Sequence, residues 1–509
     1  MVGGFFMRAS RVAVVAAFLP LLAANHHGEP SDPETRAWWD LASEISGDGF
    51  EGRATGTPGH ENAAHFVADK LASLGFDPMG DDGGWFQRVP LDEIEVVHAT
   101  LGGDGGELSH LAEFVVDAQP GLPDHATYTL AYRGYCGAND LAGVAGKLVV
   151  CHNTRKPDLP DPATRWDGVH ASGAAGIVEI ADPGFTMEPP RWPWAHNKEV
   201  WTRGQVPEAD PFVTITIKAE SLGKLLPGHD AQSLIAAGAA GNALPALDGG
   251  TVRLSTVVRT SQYTSPNVIG ILPGTDPVLA KEVLVLGAHL DGYGFGQAIE
   301  GDALYNGTLD NAAYVALLLK LAEMREGEGF KRSIVIGFWT GEELGLHGSR
   351  WFVANPTVPL DRVVATLNLD QLRPIFPLER LTAHGRTDST LGDHAAALAS
   401  SHGFVLQDDP EPERRLILRT DHRPFMEAGI PFLNFTFGFA PGSKSEEIYR
   451  HWYRTGYHKP QDDPAQLMDW TAARTFNDFW LELVAKVADD PQTPQWKPDS
   501  ALRAKYVAD

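Results

Sequence analysis

Hydrophobic residues recur along this chain at two different periods, and the changes of period divide it into three stretches. In the first, the turn-rich segment GRATGTPG (52–59) runs into a stretch where Ala64, Val67, Leu71 and Leu74 recur at helical spacing. That spacing predicts a helix laid against a core. From about residue 97 to 259 the apolar runs are short and strand-like, as at 127–132, 147–151 and 212–217, with Gly, Pro and Asp clusters between them. They predict a β-rich insert. From about residue 264 the texture alternates: a strand at 283–286, a helix from Asp310 to about Met324, a strand at 333–339, a helix from about Leu344, and a strand at 365–369. Strand and helix in alternation predict an α/β domain, a mixed and mostly parallel central sheet with helices on both faces. In such sheets ligands collect beyond the carboxyl ends of the strands. The Pro-rich stretch 489–499 reads as a surface tail, and the chain shows no internal repeat or low-complexity tract.

Length supports this division, since 509 residues exceed what one hydrophobic core usually serves. The expected parts are a signal peptide at 1–24, the first part of the α/β domain at 35–96, the insert at 97–259, the main part of the domain at 260–490 and a tail at 491–509. The formal net charge of −25 argues against a nucleic acid partner, because phosphate binding needs a basic surface. Arg8 and Arg11 precede an apolar run at 12–24 and then Asn25, His26 and His27. This order is that of a secretory signal cleaved near Ala24, the run being shorter than the ~20 residues that span a bilayer. An uncleaved anchor is the alternative. No later segment is apolar enough to span, so the expectation is a secreted or periplasmic protein without a stable membrane span. The two cysteines, Cys136 and Cys151, suit either one disulfide or two packed thiols. Asn306 and Asn434 each begin an Asn-x-Thr triplet.

Five short segments of the alternating region carry candidate chemistry. GAHLDG (287–292) puts His289 and Asp291 directly after a buried strand. A neutral imidazole is a zinc ligand, and a carboxylate beside it can fix its tautomer. NGTLDNA (306–312) puts Asp310 before an apolar helix, where an aspartate read alone is better explained as an N-cap. WTGEELG (339–345) ends a strand in adjacent carboxylates, Glu342 and Glu343. Adjacent like charges are costly unless a cation or separate roles divide them, although a helix N-terminus also attracts acids. NLDQ (368–371) supplies Asp370, and GYHKPQDD (456–463) supplies Tyr457 and His458 in a polar turn. Each fragment alone suits an ordinary turn or cap. Together they deliver His, Asp, Glu, Asp and His within one α/β segment, the donor types that suit two zinc ions sharing a bridging carboxylate.

These motifs, in this order and spacing, resemble the two-zinc aminopeptidases and related glutamate carboxypeptidases, most closely over 267–463. The resemblance implies the zinc exopeptidase fold, peptide substrates and two zinc ions per chain. It implies that His289, Asp310 and Asp370 hold one zinc and that Asp310, Glu343 and His458 hold the other, with Asp310 as the bridge. Glu342 would be the general base and Asp291 the partner of His289. The family's SDHxPF segment is TDHRPF (420–425) here, with Thr in place of Ser. Arg419 and Tyr457 match residues that contact the substrate or reaction intermediate in some members. Within the insert, YRGYCGANDLAGVAGKLVVCH (132–152) and GAAGIVEI (173–180) resemble the protease-associated domain. Aminopeptidase activity is the expectation. A carboxypeptidase or dipeptidase would use the same metal core with a cationic pocket for the terminal carboxylate, and an inactive binding ectodomain is a more distant alternative.

Overall fold

The computed structural model describes residues 30–186, 191–325, 329–370 and 372–507. The expected signal segment lies outside them. The alternating region forms the expected α/β layers. Its sheet runs Val405–Gln407, Arg380–His384, Phe432–Phe437, Val363–Asn368, Val283–His289, Ser333–Trp339 and the end of the long strand Leu247–Leu272. The four central strands are mutually parallel, whereas Arg380–His384 and Leu247–Leu272 pair antiparallel with their inner neighbours. Central strands covered on both faces need apolar residues at every position, which is why Val283–His289 and Ser333–Trp339 are buried throughout.

Alternate residues of these strands supply two different cores. Leu284, Leu286, Ile334 and Ile336 face a layer built from helices Pro33–Ile45, Pro58–Ser73, Ala313–Met324 and Trp470–Asp489. Val283, Val285, Val335, Ile269 and Ile271 face the other side, with Phe352 of helix His347–Ala354 and Phe425 of helix His422–Glu427. The helix read from Ala64, Val67 and Leu71 is Pro58–Ser73, with Thr57 capping its first turn and Leu74 just past its end.

Two long strands, Phe86–Gly103 and Leu247–Leu272, pair antiparallel and carry the chain from this sheet into the insert. The ribbon is continuous through residues 97 and 259. Its pairing steps by one residue where His98 faces Val257 and Val96 faces Val258, a bulge that leaves Val97, Val257 and Val258 exposed. The insert continues through His125–Tyr132, Leu148–His152, Gly176–Ile180 and Val213–Ile217, a parallel run with cores of its own on both faces. Cys136 and Cys151 are disulfide-bonded in one of those cores.

The tail docks on the domain instead of trailing from it. Trp496 donates its indole N–H to the Gly429 carbonyl and packs against Phe432, and a short helix, Ala501–Tyr506, follows. Both Asn-x-Thr asparagines are buried and hydrogen-bonded, Asn306 to the Ser46 carbonyl and Asn434 to Asn368. Neither side chain is accessible to a glycan. No helix among the described residues is long and apolar enough to cross a membrane.

Candidate metal centre

The carboxyl ends of the central parallel strands deliver the candidate residues to one place. His289 is the last residue of Val283–His289, Glu342 and Glu343 lie three and four residues past Ser333–Trp339, and Asp370 lies two residues past Val363–Asn368. Asp310 sits in an irregular wide turn, Thr308–Ala312, before the helix begins at Ala313. It is therefore not the helix N-cap. Its backbone N–H and that of Leu309 donate to the two carboxylate oxygens of Asp462, at 2.9 Å each, which holds the turn open. His458 has a left-handed backbone, φ 53°, and its Nδ1 is hydrogen-bonded with the Tyr293 hydroxyl at 2.8 Å.

Asp310 stands at the centre of the arrangement. Its Oδ1 is 3.2 Å from Nε2 of His289, and its Oδ2 is 3.3 Å from Nε2 of His458. Asp370 Oδ1 lies 3.6 Å from the same nitrogen of His289, and Glu343 Oε2 lies 3.2 Å from that of His458. One carboxylate thus presents a separate oxygen to each of two donor sets. Glu342 closes on the first set, since single donor atoms of His289, Glu342 and Asp370 lie within 4.8 Å of one another.

The two adjacent glutamates are aimed by Asp291, whose carboxylate accepts the Glu342 N–H at 3.1 Å, the Glu343 N–H at 3.4 Å and the Thr55 hydroxyl at 3.1 Å. Nδ1 of His289 finds the Asp291 backbone carbonyl at 3.1 Å, whereas the Asp291 carboxylate is 3.8 Å away. The turn after the strand folds that carbonyl beneath the imidazole while the side chain runs on to the glutamates. Tyr457 is buried, with its ring centroid 3.6 Å from that of His458, and Arg419 lines the same cleft.

The protonation equilibria show a site with too much negative charge for its burial. Burial, reinforced by Asp370, pushes the Glu342 carboxyl well above its usual range. Burial raises Asp370 as well, and takes Asp291 to about 6. Burial alone would depress His289, but the charge of Glu342 and the bonds to Asp310 and Asp370 outweigh it and hold the imidazole well above its ordinary value. Asp310 is held well below, since Arg373 and the two histidines overcome its burial.

The donor set fits a pair of zinc ions. Two ligands of one tetrahedral zinc with bonds of ~2.0–2.1 Å are about 3.3 Å apart, and the contacts of 3.2, 3.3 and 3.2 Å between imidazole nitrogens and carboxylate oxygens match that edge. Glu343 Oε1 is buried without a hydrogen-bond partner among the described residues, as a metal ligand would be. Dications would also compensate the carboxylate crowding.

Several residues around the site escaped the sequence. Arg373 donates to Asp310 Oδ2 at 3.2 Å and stacks 4.5 Å over Trp452. Arg53 and Tyr293 act on the turns that carry the ligands, beside Asp462, which the sequence offered with Asp463 in GYHKPQDD. Arg373 lies three residues after Asp370 and Arg53 lies within GRATGTPG, but neither spacing announces a contact.

Residues 267–484 match Peptidase family M28. They form a peptidase family M28 domain. The domain holds every candidate ligand, while the insert and the first helices precede it. Among curated proteins, the chain is 29% identical over 232 residues to leupeptin-inactivating enzyme 1 of Streptomyces exfoliatus, covering 43% of this chain and 48% of that protein. The chain thus spans about half the length of that relative. Among solved structures, the aminopeptidase from Aneurinibacillus sp. strain AM-1 superposes with a TM-score of 0.60 at 17% identity, covering 92% of this chain and 96% of that one. BSAP, a zinc aminopeptidase from Bacillus subtilis, gives 0.59 at 18% identity over 90% and 96%. Likeness at this identity establishes the fold, which the M28 domain shares along with most of the remaining chain.

Proposed function

We propose that the protein is an exported two-zinc aminopeptidase. The observation that carries this reading is the Asp310 carboxylate, whose two oxygens face Nε2 of His289 and of His458 at 3.2 and 3.3 Å. His289, Asp310 and Asp370 would hold one zinc, and Asp310, Glu343 and His458 the other. When bound, the zinc pair would acidify water and polarise the scissile carbonyl. Glu342 would take the proton from the attacking water and return it to the leaving amine, work that its inward-facing carboxylate suits. The shared hold of Asp291 on both N–H groups divides the tasks: Glu343 turns toward His458, and Glu342 toward Asp370 and His289. Tyr457, in the cleft beside His458, would stabilise the oxyanion, and Arg419 would contact the substrate. The named activities of the relatives agree with this reading.

Export is supported by the signal-like first 24 residues and by the Cys136–Cys151 disulfide, a bond that persists in oxidising compartments. The insert is proposed to be a protease-associated domain that walls the site. Residues Arg191, Trp194, Ala195, His196, Lys198 and Glu199 line a cleft together with Glu343, Tyr293 and His458. The test is elemental analysis of the purified protein beside hydrolysis of aminoacyl anilides with and without chelator. Two zinc per chain with chelator-sensitive release is the expected result. Two zinc with no release would move the activity to carboxypeptidase or dipeptidase substrates, and absence of tightly held metal would overturn the mechanism.

A further inference from the structure

A second cleft opens on the metal centre, and its wall is rich in guanidinium groups. Arg191, Arg350, Arg419 and Arg423 line it beside the carboxylates of Asp310, Glu342, Glu343 and Asp370. Those four carboxylates are the groups around the proposed ions. Two dications would cancel their charge and leave the arginines to set the field in the cleft.

Arg350 rises from His347–Ala354 and Arg423 from His422–Glu427, two helices packed against one another. Glu427 serves both, lying 2.7 Å from Nε of Arg423 and 3.9 Å from Nη1 of Arg350. Their remaining bonds go to backbone carbonyls, Nε of Arg350 to Gly345 and Nη1 of Arg423 to Leu418. Nη2 of each has no acceptor among the described residues, and the side chains are 40% and 32% exposed. Glu427 is the carboxylate that both guanidiniums share, with Asp421 acting on Arg350 from further off. Burial, and then the like charge of Arg423, lowers the pKa of Arg350. An anion entering between them would relieve that repulsion and accept charge-assisted bonds in the geometry that guanidinium groups favour.

We propose that Arg350 and Arg423 form a carboxylate-binding subsite, so that the enzyme favours peptides with a carboxylate close to the scissile bond. That carboxylate is either an acidic side chain or the C-terminus of a very short peptide. The inference rests on the peptidase reading above and names its substrate class.

The zinc-loaded full-length protein is assayed on four substrates: leucyl anilide, glutamyl anilide, the dipeptide Leu-Gly and its amide. Within at least one pair, the carboxylate-bearing member should show kcat/KM higher by about tenfold or more, as a charge-assisted bond supplies. Preference for the glutamyl anilide assigns the subsite to side chains, and preference for Leu-Gly over its amide assigns it to the C-terminus. In an R350Q/R423Q double variant that ratio should fall toward one. Added salt should lower it in the wild-type protein, a readout that does not depend on the variant folding. Hydrolysis of all four without carboxylate preference would overturn the subsite and leave the peptidase reading intact, the arginines then serving only to tie the two helices through Glu427. Absence of hydrolysis of all four would overturn the aminopeptidase and dipeptidase readings, and the subsite with them.

Discussion

Asp462 grips the turn of Asp310 from behind, its two carboxylate oxygens accepting the backbone N–H groups of Leu309 and Asp310 at 2.9 Å each. The turn is irregular, with Asp310 at φ −122° and ψ 75°, so no helical bonding fixes the direction of its side chain. Asp462 supplies that fixing. In D462N one oxygen becomes an amide that cannot accept, and one N–H is left facing a donor. Outer partners of metal ligands typically govern ten- to a hundredfold in affinity, so D462N should bind zinc about tenfold or more weakly while remaining folded. Titration of the apoprotein against a competing zinc chelator measures this, and unchanged affinity would remove Asp462 from the role.

Glu342 and Asp310 differ in what their loss should do. Glu342→Gln keeps the shape of the side chain and the backbone N–H bond to Asp291, but it cannot take a proton. Turnover should fall by about a hundred- to ten-thousandfold, the usual worth of a positioned general base, with metal content unchanged. Asp310→Ala removes the carboxylate that faces both histidines and should lose metal as well as turnover. Elemental analysis beside anilide hydrolysis separates the two. Near-normal activity of the Glu342→Gln protein would show that the base is another group.

How much of this was legible in the chain depends on whether a feature is periodic or a matter of turns. The buried runs around Val285 and Val335 announced central strands, and the alternation of strand and helix announced the layers. His289, Glu342, Glu343 and Asp370 were legible because each follows closely on such a run, whereas Asp310 was read before an apolar helix and His458 from a polar turn. Asp310 illustrates the limit. Its place before an apolar helix suggested an N-cap, but the wide turn Thr308–Ala312 and the grip of Asp462, 152 residues away, make it something else. Arg53 and Arg373 were silent for the same reason, since each bonds atoms distant in sequence. The long ribbon was hidden too: its half in the insert is partly exposed while its end from Ser265 is buried, so no single period runs through it.

Arg53 should matter more to folding than any single hydrophobic contact near the site. It is fully buried and donates to the carbonyls of Leu290, Ile45, Asn306 and Gly307, so it joins the His289 and Asp310 turns to the first helix. Burial lowers its pKa to about 10, with nearby carboxylates opposing the shift, so it stays charged at neutral pH. Arg53→Met leaves four buried carbonyls without this donor, at ~1–3 kcal/mol for each group left unsatisfied. Chemical denaturation should show a loss of about 3 kcal/mol or more. A loss under about 1 kcal/mol would mean that water replaces the guanidinium.

Acid should destabilise the protein through histidines that the fold keeps neutral. His60 is buried in the first turn of helix Pro58–Ser73, its Nε2 3.1 Å from the Pro266 carbonyl, and burial lowers its pKa to about 4. His152, in the insert, is taken to about 4 by burial and then by the charge of Arg165. Above about pH 6.5 such a histidine is neutral in both folded and unfolded chains and contributes no pH dependence. Between about 6.5 and 4 only the unfolded chain takes up the proton, so stability falls as pH falls, by about 1.4 kcal/mol per pH unit for each histidine. Below about 4 the folded state protonates too and the decline levels off. His60→Gln can keep a hydrogen bond to Pro266 without titrating. The denaturation free energy of the zinc-loaded variant should therefore fall less steeply than that of the wild type between pH 6.5 and 4.5, by about one proton's worth. Comparing the two proteins cancels what the metal centre contributes to both. Equal slopes would show that His60 is already protonated in the folded state and that its hydrogen bond to Pro266 outweighs its burial.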